Sequence, residues 1–230
     1  MSGLVLVLRP EPGTRATIAA GTGLGLNIVG SPLFEIRPLR WDPPPRGEVD
    51  GLLLGSANAI RQAGSALAAF RGKPAYVVGR ATARAAETAG LTVAAIGRGH
   101  LQSLVDSLVP PLRLLRVTGA EHVALVPPPG ITIATRIAYE SAPLPMSGDL
   151  VERLGQDALV LLHSAAAARH FAAECDRLGI SRGKVRLAAL GPRIAAAAGG
   201  GWREVRSAAS PDEAALLALV RQMCHEPTQR

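Results

Sequence analysis

Aromatic side chains are scarce in this chain. Tryptophan, tyrosine and phenylalanine together make up 3% of its 230 residues. A core must therefore be built from Leu, Val, Ile and Ala, and the stacking platforms that hold single-stranded nucleic acid are missing. Cysteine is scarcer still. Cys175 and Cys224 are the only two, and they make neither a disulfide framework nor a metal-binding spacing, a pattern that fits a reducing compartment. His163 and His170 fall on one face of an expected helix, but no third ligand is placed to complete a metal site, so both read as structural and no metal is expected. No basic segment precedes the short apolar run Leu4 to Leu8, so a signal peptide is not expected. No uninterrupted apolar stretch reaches membrane-spanning length. The expectation is a soluble, cytoplasmic protein with no membrane partner.

Familiar cofactor motifs are missing too. Gly21-Thr-Gly23-Leu-Gly25 follows a helix and precedes a strand, the wrong order for a dinucleotide fingerprint. Neither Gly72-Lys73 nor Gly183-Lys184 completes a phosphate-binding loop, and there is no nucleophile elbow. No cofactor is expected.

What is present is apolar and cationic. Hydrophobic residues reach 48%, enough for a sizeable core. The net charge of +7 favours an acidic partner: nucleic acid, a membrane surface or a polyanionic metabolite. The arginines are scattered and no nucleic-acid motif accompanies them, which argues against nucleic acid.

The strongest signal is a repeat. Asp50-Gly-Leu-Leu-Leu-Gly-Ser56-Ala-Asn-Ala59 and Asp157-Ala-Leu-Val-Leu-Leu-His-Ser164-Ala-Ala-Ala167 are both short apolar runs that end at a serine before an alanine-rich helical pattern. Each is followed by a second apolar run ending in glycine, at Gly79 and at Gly191. The copies lie roughly 110 residues apart, which implies two similar lobes with a cleft between them.

Around these runs the pattern predicts strands at 4–8, 33–39, 51–55, 75–78, 92–96, 112–117, 137–140, 158–162, 186–190 and 203–206. Helices are predicted at 14–21, 57–70, 81–89, 101–108, 147–155, 165–178, 193–199 and 211–223, the last opened by a capping box, Ser210-Pro-Asp-Glu213, with proline at its first position. Residues 120–135 read as a degraded helix and turn, and the tail after Cys224 as polar and fraying. Strands alternating with helices give an α/β fold, each lobe a parallel sheet flanked by helices. The second repeat has too few strands of its own. One lobe is therefore expected to combine residues 1–36 with 144–230, the other to span 40–140, with a two-stranded hinge joining them.

In open parallel sheets, ligands bind beyond the carboxyl ends of the strands. Ser56, Gly79, Ser164 and Gly191 all fall there, each before a helix whose free N–H groups attract anions. Each serine taken singly reads more readily as an ordinary helix cap, but their recurrence at matching places in both lobes favours the ligand reading for the set. Thr82 sits in the first turn after Gly79. Arg9 ends the first strand, where its fork of donors suits a carboxylate, or it is simply a surface arginine. Tyr139 either donates a proton or packs its ring at the hinge, and spacing alone favours packing.

Taken in order, Val7-Leu-Arg9-Pro, Leu54-Gly-Ser56-Ala-Asn-Ala, Val77-Val-Gly79-Arg-Ala-Thr82-Ala, Ala138-Tyr139-Glu140, His163-Ser164-Ala-Ala-Ala167, Ala189-Leu-Gly191-Pro and Ala209-Ser-Pro211 resemble the uroporphyrinogen-III synthase family over almost the whole chain. The resemblance implies two α/β lobes, one built from both chain ends. It implies a cofactor-free lyase of tetrapyrrole (haem and porphyrin) biosynthesis, which cyclises hydroxymethylbilane with loss of water and inversion of the last pyrrole ring. That substrate is a polycarboxylate, which accounts for a cationic protein without nucleic-acid motifs.

The family's serine turns map to Ser56, with Ala57 and Asn58, and to Ser164, with Ala165. Its Gly-x-Ala-Thr turn maps to Gly79 and Thr82, and its hinge tyrosine, often proposed as the acid, to Tyr139. One departure stands out. The family commonly reads Gly-Pro-Thr-Thr-Ala where this chain has Gly191-Pro192-Arg193-Ile194-Ala195. Either Arg193 takes over anion binding or that lobe contributes only backbone. The expected substrate-binding set is thus Arg9, Ser56, Ala57, Asn58, Gly79, Thr82, Ser164, Ala165, Gly191 and Arg193, with Tyr139 catalytic, in a monomer. The competing readings are a cytosolic two-lobed small-molecule binder and a regulatory homologue without catalysis.

Overall fold

A computed structural model describes residues 3–225. The tail at 226–230 lies outside the described residues. In chain order the strands are β1 (Val5–Val7), β2 (Ile28–Gly30), β3 (Phe34–Pro38), β4 (Gly51–Leu54), β5 (Pro74–Val78), β6 (Thr92–Gly97), β7 (Leu112–Gly119), β8 (Ile131–Pro143), β9 (Leu159–Leu162), β10 (Arg186–Ala189) and β11 (Glu204–Ser207). The helices are α1 (Gly13–Gly23), α2 (Ala57–Gln62), α3 (Gly64–Ala68), α4 (Arg80–Thr88), α5 (Leu101–Asp106), α6 (Gly148–Leu154), α7 (Ala165–Arg177), α8 (Pro192–Ala197) and α9 (Glu213–His225). The chain divides into two compact units, one of Met1–Glu35 with Ala142–Arg230, the other of Ile36–Ser141.

The first unit holds a five-stranded sheet in the order β11-β10-β9-β1-β2, every pair parallel. Its central strands are apolar at nearly every position because helices cover both faces. On one face Leu6, Val160, Leu162 and Leu187 pack against Leu150, Leu154 and Phe171 of α6 and α7. On the other, Val5, Val7, Leu159 and Leu161 meet Leu216, Leu217 and Val220 of α9.

The second unit holds a six-stranded sheet, β3-β8-β7-β4-β5-β6, parallel from β8 through β6. Leu52, Leu54, Val77, Leu115 and Val117 are buried beneath α2, α3 and α4. The opposite face, with Leu53, Leu114 and Ile131, is covered more thinly, by α5 and by Leu125 from the segment after β7.

Several expectations need correcting. The helix expected over 57–70 is two, because Gly64 takes a left-handed φ of +63° and breaks the ladder between α2 and α3. Residues 120–130 form no helix. They make an irregular strap, and β8 begins directly at Ile131 and runs for 13 residues. Strand β2 was not expected at all. The last helix starts at Glu213 rather than Pro211. Asp212 is its cap, accepting from the Ala215 amide at 2.9 Å, while Ser210 turns to the Asp212 carboxylate. His163 lies before α7, not on it. Strands β3 and β8, expected as a hinge, are neighbours in the six-stranded sheet.

Both cysteines are free thiols, and burial pushes that of Cys175 up to about 12. Among the described residues, no helix is long and apolar enough to cross a membrane, and no group of side chains could hold a metal ion.

Candidate active site

Because the strands of each sheet that carry candidate residues run parallel, their carboxyl ends fall on one edge of that sheet. In the second unit, β4 ends at Leu54 and the chain turns through Gly55 into Ser56. Ser56 has extended backbone and caps α2, its Oγ accepting from the Asn58 amide at 3.1 Å. Ala57 opens that helix, and Asn58 also accepts from Arg61 at 3.1 Å.

The Tyr139 hydroxyl donates to the same Ser56 Oγ at 3.2 Å. Tyr139 sits on β8 opposite Gly119, the last residue of β7, where the register slips by one. The glycine is needed there. A Cβ at Gly119 would lie 2.7 Å from Cζ of the tyrosine ring and 3.0 Å from its hydroxyl oxygen. The missing side chain is what lets the phenol lie against the end of β7. On the neighbouring strand β5, Gly79 follows Val78 with φ +79° and caps α4 without a side-chain bond. Thr82 is buried in the first turn of α4.

The first unit carries the other candidates. Ser164 caps α7, accepting from the Ala167 amide at 3.1 Å, and Ala165 opens that helix. Gly191 precedes Pro192 at the start of α8, with no side-chain cap, and Arg193 is exposed on its first turn.

Arg9 is engaged inside the protein. Its Nη1 donates to Glu213 Oε2 at 3.1 Å, the two side chains each about a third exposed. Thr17 of α1 donates to the other carboxylate oxygen at 2.5 Å, and His163 Nε2 lies 3.3 Å from the same group. Partial burial works to raise the Glu213 carboxyl. Hydrogen bonds from His163 and Thr17, with the charges of His163 and Arg9, outweigh it and hold the group below the usual carboxylate range. The carboxylate also begins a helix, where negative charge is favoured.

The structure therefore joins Ser56 to Tyr139 directly and places Gly79 and Thr82 at the end of the adjacent strand. It joins Arg9 to Glu213 rather than to Ser164 or Gly191. Sequence reasoning assigned no site role to Glu213, Thr17, Gly119 or Arg116. For Arg116 a signal existed: a cation inside the otherwise apolar run Leu114-Leu115-Arg116-Val117 of a central strand has to be buried. For Gly119 none did, because the need for glycine arises only from a residue on another strand.

A phenol hydrogen-bonded to a hydroxyl, beside two helix starts, can donate a proton to a leaving oxygen and hold carboxylates. The chain matches the family model described as uroporphyrinogen-III synthase HemD over residues 16–218. No curated protein sequence matches it. Among solved structures, it is similar to uroporphyrinogen-III synthetase from Helicobacter pylori, with 15% identity, 97% of this chain and 100% of that chain covered, and a TM-score of 0.65. It is also similar to a mutant uroporphyrinogen III synthase from Thermus thermophilus, with 18% identity, the same coverage of 97% and 100%, and a TM-score of 0.50. At these identities the structural likeness speaks for the fold.

Proposed function

The chain belongs to the uroporphyrinogen-III synthase family, and from that premise we propose that it closes hydroxymethylbilane into uroporphyrinogen III, with loss of water and inversion of the last pyrrole ring. The observation that carries the chemical assignment is the Tyr139 hydroxyl, 3.2 Å from Ser56 Oγ at the carboxyl edge of the second sheet.

An electron-rich pyrrole expels its hydroxymethyl oxygen once that oxygen is protonated. Tyr139 is the proton donor: the C–O bond breaks, the pyrrole nitrogen supplies the electron pair, and water leaves. The new carbon–carbon bond forms at the already substituted α carbon of the last ring, the old methylene bond of that carbon breaks and re-forms at the ring's free α carbon, and the proton shed there restores the phenol. Such general acid help is worth about a hundred- to ten-thousand-fold. The larger demand is positioning, because closure without inversion is the spontaneous course. Holding the chain curled brings the effective molarity that selects the other outcome.

Carboxylates of the substrate are met by the amides and hydroxyls around Ser56, Ala57, Asn58, Gly79 and Thr82 in the second unit; in the first unit the helix starts at Ser164, Ala165 and Gly191, with Arg193, are carboxylate-binding ends of the same kind, while Arg9 stays with Glu213. Each helix start contributes about 0.3–1 kcal/mol to such binding. The reading assigns the reaction to a cytoplasmic monomer.

The test is to supply hydroxymethylbilane and resolve the porphyrin isomers after oxidation. Type III product is the expected outcome. Type I alone would reject catalysis and leave a small-molecule-binding or regulatory homologue, the reading that the hydroxyl-free turn Gly191-Pro192-Arg193-Ile194 favours.

A further inference from the structure

Arg116 lies in the middle of β7 and is 6% exposed. Its register partners are Leu53 on β4 and Thr135 on β8, so it is flanked on both sides within the sheet. Its Nη1 donates to the Val123 carbonyl at 2.9 Å, and its Nε is buried without a partner. No carboxylate among the described residues pairs with it. Burial alone pushes its guanidinium below the usual arginine value, and no neighbouring charge acts on it.

Other arginines are treated differently. Arg9, Arg113, Arg153, Arg177, Arg182, Arg203 and Arg206 all have acidic partners within 3.1 Å. Arg186, equally buried with a bare Nε, still has Asp157 at 4.0 Å and the Met223 carbonyl at 3.0 Å. An unpaired buried cation is a standing cost that an apolar residue would avoid. One carbonyl of the strap does not offset that cost, so a ligand that completes its hydrogen bonding is a reason for an arginine in that position.

The covering is light. The strap from Ala120 to Gly130 has no regular structure and turns most of its side chains to solvent, Val123 and Val126 at 80% and 77% exposed. Its Leu125 packs onto the sheet, and at mid-length two side chains from outside it bond to its backbone. One is Arg116. The other is Gln102, which donates to the Val126 carbonyl at 2.7 Å and accepts from its amide at 2.9 Å. Along β4, Leu53 lies three residues before Ser56, and along β7, Arg116 lies three before Gly119. At the rise of a strand this puts the Arg116 backbone roughly 10 Å from the carboxyl edge that carries Ser56 and Tyr139, with its side chain on the strap-covered face and the Tyr139 ring packed against the other.

We propose that Arg116 is a carboxylate-binding residue, its Nε edge receiving one carboxylate of the polycarboxylate ligand when the strap lifts from it. The ligand class rests on the proposed reaction. A guanidinium presents parallel donors that match a carboxylate, and its side-on edge is the one left open.

The experiment first fixes the product isomer of the wild-type chain, which judges the reaction independently of Arg116. Binding of uroporphyrin III, the stable oxidised form of the product, is then followed by fluorescence in wild type, Arg116→Met and Arg116→Lys. Thermal midpoints of the three are measured without ligand. Arg116→Met is expected to bind at least tenfold more weakly while its ligand-free midpoint rises, and Arg116→Lys to fall between, keeping charge but losing the fork. A purely structural arginine gives the opposite pattern. If Arg116→Met binds as wild type does, or melts lower or fails to fold, Arg116 is only the strap's anchor and the proposal is overturned. Failure of the wild type to bind uroporphyrin III overturns it as well, while a type III product would leave the reaction standing.

Discussion

At the edge of the first sheet the charged groups are satisfied inside the protein. Arg9, Thr17 and His163 converge on one carboxylate, Glu213, which ties β1, α1 and the residue after β9 to the start of α9. At the edge of the second sheet little is satisfied. Tyr139 and Ser56 share one neutral hydrogen bond, and three residues inward along β7 Arg116 is buried with a single carbonyl. Both edges come from matching runs of sequence and the same parallel architecture. The difference lies in what the side chains are left free to do. A saturated ionic cluster resists change, since removing any member strands a partly buried partner. A neutral hydroxyl pair is easily exchanged for a ligand, because the net worth of such a bond is only about 1 kcal/mol. The first edge therefore reads as the fixed one and the second as the one that trades partners.

The sharpest way to break this contrast is at Tyr139. Tyr139→Phe keeps the ring against Gly119 and removes only the hydroxyl. Turnover of hydroxymethylbilane should fall about a hundredfold, the usual worth of a general acid, with the melting temperature nearly unchanged. A rate close to wild type would remove Tyr139 from the role of acid and with it the asymmetry between the edges.

The first edge is tested by stability instead. Glu213→Gln should cost about 2 kcal/mol in urea unfolding, as expected for hydrogen bonds to a charged group. Combined with Arg9→Gln, the losses should fall short of the sum of the two, because both substitutions strike one cluster. Strict additivity would mean that the carboxylate and the guanidinium do not share their energy as drawn.

A second internally satisfied acid sharpens the point. Glu174 accepts from Arg177 at 2.7 Å and from the Met146 amide at 2.6 Å, fastening the segment before α6 to α7. The bonds from Arg177 and then from Met146 outweigh burial and hold its carboxyl at about 2, from an ordinary 4.5. A carboxyl lowered by folding stabilises the native state above its unfolded value and loses that contribution as pH falls toward its folded value. The Glu174 contribution should thus be complete above about pH 4.5 and fade toward pH 2. Glu174→Gln should lower stability at neutral pH by about 2 kcal/mol and flatten that acid limb. An unchanged slope between those values would place the acid sensitivity elsewhere.

How much of this could be read from the chain differs by element. Strands β4 and β9 were legible because a continuous apolar run ending at a serine admits few other structures. β2 was not, since three residues ending in a glycine carry no periodicity of their own. β8 carries a signal in Ile131-Thr-Ile133, apolar and polar in alternation, but the prolines just before it favour a turn. The break at Gly64 depends on a left-handed backbone that an alanine-rich helical pattern does not advertise. At the site, strand ends and caps were legible because they follow from local rules. The pairing of Arg9 with Glu213, far apart in sequence, was not, and neither was the space that Gly119 leaves for Tyr139. Both arise only when distant segments are brought side by side.

The smallest effect offers the cleanest comparison. Ser56 and Ser164 occupy matching places and perform the same local task, each accepting from an amide in the first turn at 3.1 Å. Replacing either with alanine removes a cap, which costs about 1 kcal/mol, so the two variants should lose similar stability. Their catalytic effects should differ. Ser56 alone is bonded to the Tyr139 hydroxyl, so Ser56→Ala also frees the phenol to rotate away from its set position. Turnover should drop severalfold in Ser56→Ala at saturating substrate, while Ser164→Ala changes apparent affinity at most. Gly119→Ala should mimic the Ser56 variant, because the added methyl displaces the same ring without touching a cap. If Ser56→Ala and Ser164→Ala lower turnover equally, the bond to Tyr139 contributes nothing beyond capping, and the two edges are equivalent after all.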